Sequence, residues 1–132
     1  MKLKLDHIAI AVSDVAAAIT AFQDKLGLPC EKVEDVPSQG ARVAFFDLGG
    51  AHLELVSPLD PSSSIARSIE KRGEGIHHLC FEVPSLETAI TDLESKGAKM
   101  TGPATPGANG TRVAFVHPKT MNGVLIELVQ KP

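Results

Sequence analysis

Apolar residues follow two different spacings along this chain, and the two spacings alternate twice in the same order. Residues 6–12 show the apolar pattern of a strand, and residues 15–26 place apolar side chains at helical spacing. The same succession returns at residues 77–83 and 86–93. After each helical stretch come short apolar stretches separated by loops rich in Gly and Pro. Each half of the chain therefore predicts a βαβββ unit.

The two predicted helices have apolar stripes and residues suited to their ends. Ser13 or Asp14 precedes the first helix and Ser85 precedes the second, and these side chains can accept from free backbone amides. Gly27 and Gly97 are expected to end the helices. The stripes expected to face the core consist of Val15, Ala18, Ile19, Phe22 and Leu26, and of Leu86, Ala89, Ile90 and Leu93.

The halves also match residue by residue, which identifies the chain as an internal repeat. The offset between matching positions is 71 residues from His7 to His78 and drifts only by lengths that a loop can absorb. The matching segments are 6–12 with 77–83, 40–45 with 110–115, and 53–56 with 126–129. We expect the two units to be related by an approximate twofold axis.

The repeat divides one domain of 132 residues into modules joined by a linker. Within the modules, short strands are expected near residues 30–34 and 98–101, and Ile65 and Ile69 predict a short helix in the linker. The predicted parts are a first module at 1–57, a linker at 58–72 and a second module at 73–132.

Charge and composition argue against nucleic-acid and membrane partners. The formal net charge is −3, with 16 acidic and 13 basic residues scattered along the chain, so no basic stripe is available to follow phosphates. No apolar run approaches the roughly 20 residues that a membrane span needs, and the polar start does not resemble a signal peptide. We expect a cytoplasmic protein with a sizeable core, since 43% of its residues are hydrophobic.

The repeat places one His and one Glu of each module on the strand face opposite the helices. Successive strand side chains point to opposite faces, and His7 precedes an alternating apolar series while Glu54 lies between two leucines. By the same count, His78 and Glu127 of the second module lie on the corresponding face. We therefore expect these four side chains to converge on one point.

This set of side chains suits a metal ion. A carboxylate between two large aliphatic residues is costly to bury unless it is paired or coordinated. Two imidazoles with two carboxylates suit Zn, Co, Ni, Mn or Fe(II), with positions left for water or substrate. His77 falls on the other face, and His52 and His117 align with no second His, so we expect these two as surface or loop residues.

The arrangement of His7, Glu54, His78 and Glu127 in paired βαβββ modules resembles the vicinal oxygen chelate, or glyoxalase-like, superfamily. The chain is similar over nearly its whole length to one family within it, the methylmalonyl-CoA epimerases. The segments that carry this second resemblance are 6–12, 39–40, 73–78, 115–119 and 123–128.

The resemblance implies an α+β fold in which two tandem βαβββ modules form a cup-shaped mixed sheet around the metal, commonly as a homodimer. It implies a metal-dependent epimerase that interconverts R and S methylmalonyl-CoA by removing the alpha proton through a metal-stabilised enolate. The expected cofactor is one divalent ion per chain held by the four side chains, with Co²⁺ the first choice and Zn²⁺, Ni²⁺ or Mn²⁺ as alternatives.

The same resemblance suggests which residues carry the proton. Glu127 is the first choice as general base, and Glu54 would act from the opposite side, both being also metal ligands. Some relatives carry a further carboxylate on the strand after Gln-Gly, where this chain has Val43. The assignment of two bases is therefore open for this sequence.

Substrate contacts and rival functions complete the expectations. Lys119, Arg72 and Lys71 are candidate cations for binding the CoA substrate, and Gln39 and the loop at 107–110 are expected to border it. The rival enzyme is a lactoylglutathione lyase, whose similar His/Glu site the four ligands cannot distinguish. A metal-free small-molecule binding module of the same fold is a rival of another class, and the presence of all four ligands argues against it.

Overall fold

A computed structural model describes all 132 residues. The residues divide into two compact units, one formed by His7–His77 and the other by Met1–Asp6 together with His78–Pro132. The predicted module boundaries at residues 57 and 73 follow the sequence repeat and stay a prediction. No helix has both the length and the apolar character that crossing a membrane requires.

The His7–His77 unit contains the first βαβββ succession. Its strands are adjacent in the order β2-β3-β4-β1, with β1 parallel to β4 and the other neighbours antiparallel. A helix, α2, follows the last strand where the linker helix was predicted. The elements are β1 (Lys4–Ala11), α1 (Val15–Leu26), β2 (Lys32–Val36), β3 (Ala41–Asp47), β4 (His52–Pro58) and α2 (Ser64–Arg72).

The second unit repeats this plan. Its strands are adjacent in the order β5-β8-β7-β6, with β5 parallel to β8 and the other neighbours antiparallel. The elements are β5 (Gly75–Glu82), α3 (Leu86–Ser95), β6 (Thr105–Pro106), β7 (Arg112–Val116) and β8 (Ile126–Gln130). The predicted α+β fold of two tandem βαβββ modules is confirmed.

Each unit buries its helix against one face of its own strands, as the stripes predicted. In the first unit α1 packs on Phe46 and Leu55, and in the second α3 packs on Val116 and Leu128. These four side chains are almost completely buried, and each apolar side chain of this size contributes about 1.5–3 kcal/mol to folding. The prediction that Leu26 faces the core is wrong, because this residue is 62% exposed at the end of α1.

The helix ends follow the predicted capping chemistry. The Asp14 carboxylate accepts from the backbone amide of Ala17 at 3.1 Å, and the Ser85 hydroxyl accepts from that of Thr88 at 3.3 Å. Gly27 ends α1 with a φ of +71°, in the left-handed region that glycine adopts without strain.

The strand predicted near residues 98–101 is wrong. Only Met100 makes an isolated antiparallel bridge there, to Val116, and the strand that pairs with β7 is the two-residue β6. Gly102 and Pro103 follow directly in the sequence. Proline has no amide hydrogen to donate, so the ladder cannot continue through this segment. In the first module the corresponding strand, β2, is present but begins two residues later than predicted.

Candidate active site

The first His–Glu pair lies on neighbouring parallel strands of the His7–His77 unit. Nδ1 of His7 is 3.0 Å from Oε2 of Glu54, and the two side chains are only 6% and 10% exposed. Pairing of β1 with β4 sets Ala9 opposite Glu54, so His7 lies two residues along the same face. The predicted orientation of both residues away from α1 is therefore observed.

The second unit builds an equivalent pair from β5 and β8. Nε2 of His78 is 2.8 Å from Oε1 of Glu127, and the side chains are 7% and 5% exposed. Here Cys80 is the register partner of Glu127, just as Ala9 is the partner of Glu54 in the first unit. The repeat thus reproduces the buried contact as well as the sequence.

His52 is a correction to the sequence analysis, which placed it on the surface or in a loop. It is the first residue of β4, with a side chain 25% exposed, and its Nε2 is 2.7 Å from Oε2 of Glu54. Its ring also lies 5.0 Å from the ring of His7. The alternation that identified Glu54 puts residue 52 on the same face, so the signal was present in the sequence.

A phenylalanine next to each pair was also missed. Phe45 is the register partner of Glu54, and Phe115 is the partner of Glu127. The ring of Phe45 lies 5.6 Å from that of His52, and the ring of Phe115 meets that of His78 edge-on at 5.5 Å. Both end the repeated Gly-x-Arg-Val-Ala-Phe segment, which was the available signal. Each phenylalanine ring thus forms an apolar surface beside the carboxylate of its partner.

Gln39 lies in a short 3₁₀ turn, Pro37–Gln39, between β2 and β3. Its Nε2 is buried and has no hydrogen-bond partner in the protein. A buried amide group without a partner costs about 1–3 kcal/mol, so such a group calls for a ligand or a water as its acceptor. The chain at Gly40 is held tightly, because a Cβ there would lie 2.9 Å from Cβ of Ser63.

The predicted cationic contacts are exposed in both units. Arg72 is in the last turn of α2, and Lys119 is in the turn Pro118–Thr120 that follows β7. Val43 is buried in β3, and its register partner on β2 is Glu34. A carboxylate is thus present on the same strand face, although not at position 43.

The two pairs fit a divalent metal by their donors and their burial. Glu54 and Glu127 are 8% and 4% exposed on sheet faces that are otherwise largely apolar, where an ionised carboxylate needs a cation or strong hydrogen bonds. Ligand atoms of His7 and Glu54 lie within 4.8 Å of one another. Imidazole nitrogen and carboxylate oxygen are the donors that Zn, Co, Ni and Mn accept.

Comparison with known proteins agrees with this fold. The family model described as the Glyoxalase/Bleomycin resistance protein/Dioxygenase superfamily matches residues 6–115. The chain belongs to this superfamily. It is 41% identical over 130 residues to the ethylmalonyl-CoA/methylmalonyl-CoA epimerase of Cereibacter sphaeroides, covering 96% of this chain and 97% of that protein.

Solved structures of similar proteins carry related names. The chain is similar to methylmalonyl-CoA epimerase from Mycobacterium tuberculosis, with a TM-score of 0.92 and 39% identity, over 98% of this chain and 88% of that one. It is also similar to a methylmalonyl-CoA epimerase in complex with methylmalonyl-CoA and NH4+, with a TM-score of 0.92 and 30% identity, over 99% and 96% of the two chains. Both likenesses extend through nearly the whole chain.

Proposed function

We propose that this chain interconverts the R and S forms of methylmalonyl-CoA. The observation that carries the proposal is the nearly full-length similarity to epimerases of this substrate, in a chain with a buried His–Glu pair in each module. The reaction needs only removal of the hydrogen between the thioester and the carboxylate, and its return on the other face. A base near the alpha carbon and a group that stabilises the enolate are the minimum requirements.

His7, Glu54, His78 and Glu127 are the proposed ligands of one divalent ion per chain, with Co²⁺ the first choice. When bound, the ion would act as a Lewis acid towards the negative charge that develops on the substrate's thioester oxygen. The support for this ligand set is the equivalence of the two pairs in the repeat and their burial.

Glu127 is the proposed principal base. It would take the alpha proton on one face of the substrate, and Glu54, at the equivalent position of the repeat, is the proposed base for the other face. Phe115, beside Glu127 on the neighbouring strand, keeps water away from the carboxylate. Exclusion of water keeps the carboxylate basic and the developing charge close to its partners.

Substrate binding is assigned to Gln39, Lys119 and Arg72. The buried Nε2 of Gln39 is a donor whose acceptor would be a substrate oxygen. The exposed Lys119 and Arg72 suit the phosphates of CoA, which bind cations at the surface.

The decisive experiment measures deuterium incorporation at the alpha carbon of methylmalonyl-CoA in D₂O. Fast incorporation, without turnover of methylglyoxal and glutathione, is expected for the epimerase. Turnover of methylglyoxal and glutathione alone would identify a lactoylglutathione lyase, and binding without either reaction would identify a metal-free binding module. Ethylmalonyl-CoA is a useful second substrate, because the Cereibacter sphaeroides relative is named for both.

A further inference from the structure

Three side chains of the His7–His77 unit meet at one carboxylate oxygen. Oε2 of Glu54 is 2.7 Å from Nε2 of His52 and 3.0 Å from Nδ1 of His7. The two imidazole rings lie side by side, with centroids 5.0 Å apart and planes inclined by 31°. This follows from the register, since His7 and His52 are direct partners on the parallel strands β1 and β4. His52 therefore belongs to the same cluster as the proposed ligands.

The contact between His52 and Glu54 has a defined donor. An ionised carboxylate only accepts hydrogen bonds, so the hydrogen lies on Nε2 of His52. A contact of 2.7 Å between such groups is a short, charge-assisted hydrogen bond. The oxygen keeps a second lone pair for another partner, and His7 lies on that side. His52 thus orients the carboxylate of Glu54 towards His7.

The His52 ring is itself held in place. Phe45, on the neighbouring strand β3, packs against it with a centroid distance of 5.6 Å, while His7 packs against it from β1. The side chain is 25% exposed, so three quarters of its surface is in contact with protein. A donor fixed by two rings can fix its acceptor in turn.

The second module has no such donor at the equivalent position. The offset that aligns Glu54 with Glu127 aligns His52 with Leu125, which carries no hydrogen-bonding group on its side chain. The modules therefore support their two carboxylates differently. A carboxylate that carries a proton must change its position or its partners during turnover, whereas a ligand benefits from a fixed orientation.

We propose that His52 is a positioning residue that holds Glu54 as a metal ligand. This inference rests on the proposed function, because it assumes that Glu54 coordinates the ion. His52 acts through Glu54 and is not itself a ligand. The hydrogen bond from His52 favours the ligand role of Glu54 over its proposed role as base on the second face, and the principal proton transfer stays with Glu127.

Binding of Co²⁺ to purified, metal-depleted protein tests the proposal, with the dissociation constant from titration calorimetry and the ligand field from visible absorption. His52→Leu places the residue of the second module in the first. It should weaken Co²⁺ binding about 10–100-fold, the usual cost of losing a group that orients a ligand. His52→Gln returns an N–H near the position of Nε2 and should restore most of the affinity. The absorption bands should keep their wavelengths in both variants.

His52→Asn keeps a polar side chain that is too short to reach Oε2, so it should also weaken Co²⁺ binding about 10–100-fold. It provides the test if the leucine variant fails to fold. His117→Gln, at a histidine outside the cluster, is the matched control and should bind normally. Unchanged affinity in His52→Asn would overturn the proposal, and shifted bands in every His52 variant would make His52 a ligand instead. Wild-type protein that binds no Co²⁺ would overturn the proposed metal site as well.

Discussion

Nε2 of His78 lies 2.8 Å from Oε1 of Glu127, across two parallel strands of one βαβββ module. The same contact, made through Nδ1, joins His7 to Glu54 in the other module. A repeated buried contact between an imidazole and a carboxylate is a costly arrangement for a chain that needs only a core. A bound metal ion would account for this burial in each module, and each residue of the pairs gives a separate test.

Replacing Glu127 by Gln should abolish most of the epimerisation. Glutamine keeps the size and one oxygen for coordination but removes the basic carboxylate. A general base contributes about 10²–10⁴-fold, so Glu127→Gln should lose at least that much while keeping much of its metal. The measurement is the rate of alpha-deuterium exchange, with the metal content determined on the same sample.

Glu54→Gln is the matched control for this variant. Near-normal exchange in Glu127→Gln with loss in Glu54→Gln would reverse the two roles. Normal exchange in both would make Glu34 the next candidate for the general base, because it is the register partner of the buried Val43 and lies on the same strand face.

Removing either imidazole of the pairs should remove the metal. We expect about one divalent ion per chain in the wild type, and loss of the ion from His7→Ala and from His78→Ala, because each removes a proposed ligand and leaves a buried carboxylate. Inductively coupled plasma mass spectrometry after Co²⁺, Zn²⁺, Ni²⁺ or Mn²⁺ reconstitution measures the content. His117→Ala should retain it. Full retention in both ligand variants would rule out this site.

Gln39→Leu should weaken substrate binding more than it slows the chemistry. The buried Nε2 of Gln39 has no acceptor in the protein, so a substrate oxygen is the expected one. Loss of one hydrogen bond of about 1 kcal/mol corresponds to roughly a fivefold rise in KM, with kcat little changed. Steady-state kinetics on methylmalonyl-CoA measure both. An unchanged KM would remove Gln39 from the substrate contacts.

Association is predicted from the family resemblance, and exposed apolar side chains support it. Ile76 in β5 is 75% exposed and Leu3, just before β1, is 51% exposed, and burying them against a second copy would remove apolar surface from water. We expect a homodimer by sedimentation at micromolar concentration. A monomer across that range would contradict the prediction, and the metal ligands as proposed would be unaffected, since all four are in one chain.

The sequence predicted the orientation of the two His–Glu pairs better than their surroundings, for a physical reason. Strand alternation and the repeat together determine which face a side chain takes, and these two rules suffice for His7, Glu54, His78 and Glu127. His52 was misplaced because the repeat offers no second His, although alternation alone puts it beside Glu54. The strand near 98–101 was wrongly predicted because strand propensity does not take account of the interruption at Gly102 and Pro103. Contacts between side chains on different strands require the register, which no local pattern supplies.

Lys131 provides a test of stability that is independent of the metal. Its Nζ lies 3.0 Å from Oδ1 of Asp6 and 3.4 Å from Oε1 of Glu82. The Asp6 side chain is only 7% exposed, whereas that of Lys131 is 50% exposed. The hydrogen bond to Asp6 is the main cause that raises the pKa of Lys131 above its ordinary value of 10.5. Burial opposes it, and the negative charges of Asp6 and Glu82 and the hydrogen bond to Glu82 add to the increase.

Lys131→Met should therefore lower the free energy of unfolding by about 1–2 kcal/mol at neutral pH, a value reduced from that of a fully buried pair because Lys131 is half exposed. Because the folded pKa is raised, the stabilisation is complete below pH 10.5 and is lost as the pH rises through the folded value. Denaturant titrations at pH 7, 9 and above 11 measure the free energy of unfolding of wild type and variant. The difference between the two should be the same at pH 7 and 9 and smaller above pH 11.

Lys96→Met is the control, because it removes a contact of the same 3.0 Å length to the more exposed Asp92. It should lower the free energy of unfolding by less than about 0.5 kcal/mol. Equal effects of the two substitutions would show that the burial of Asp6 adds nothing to the pair.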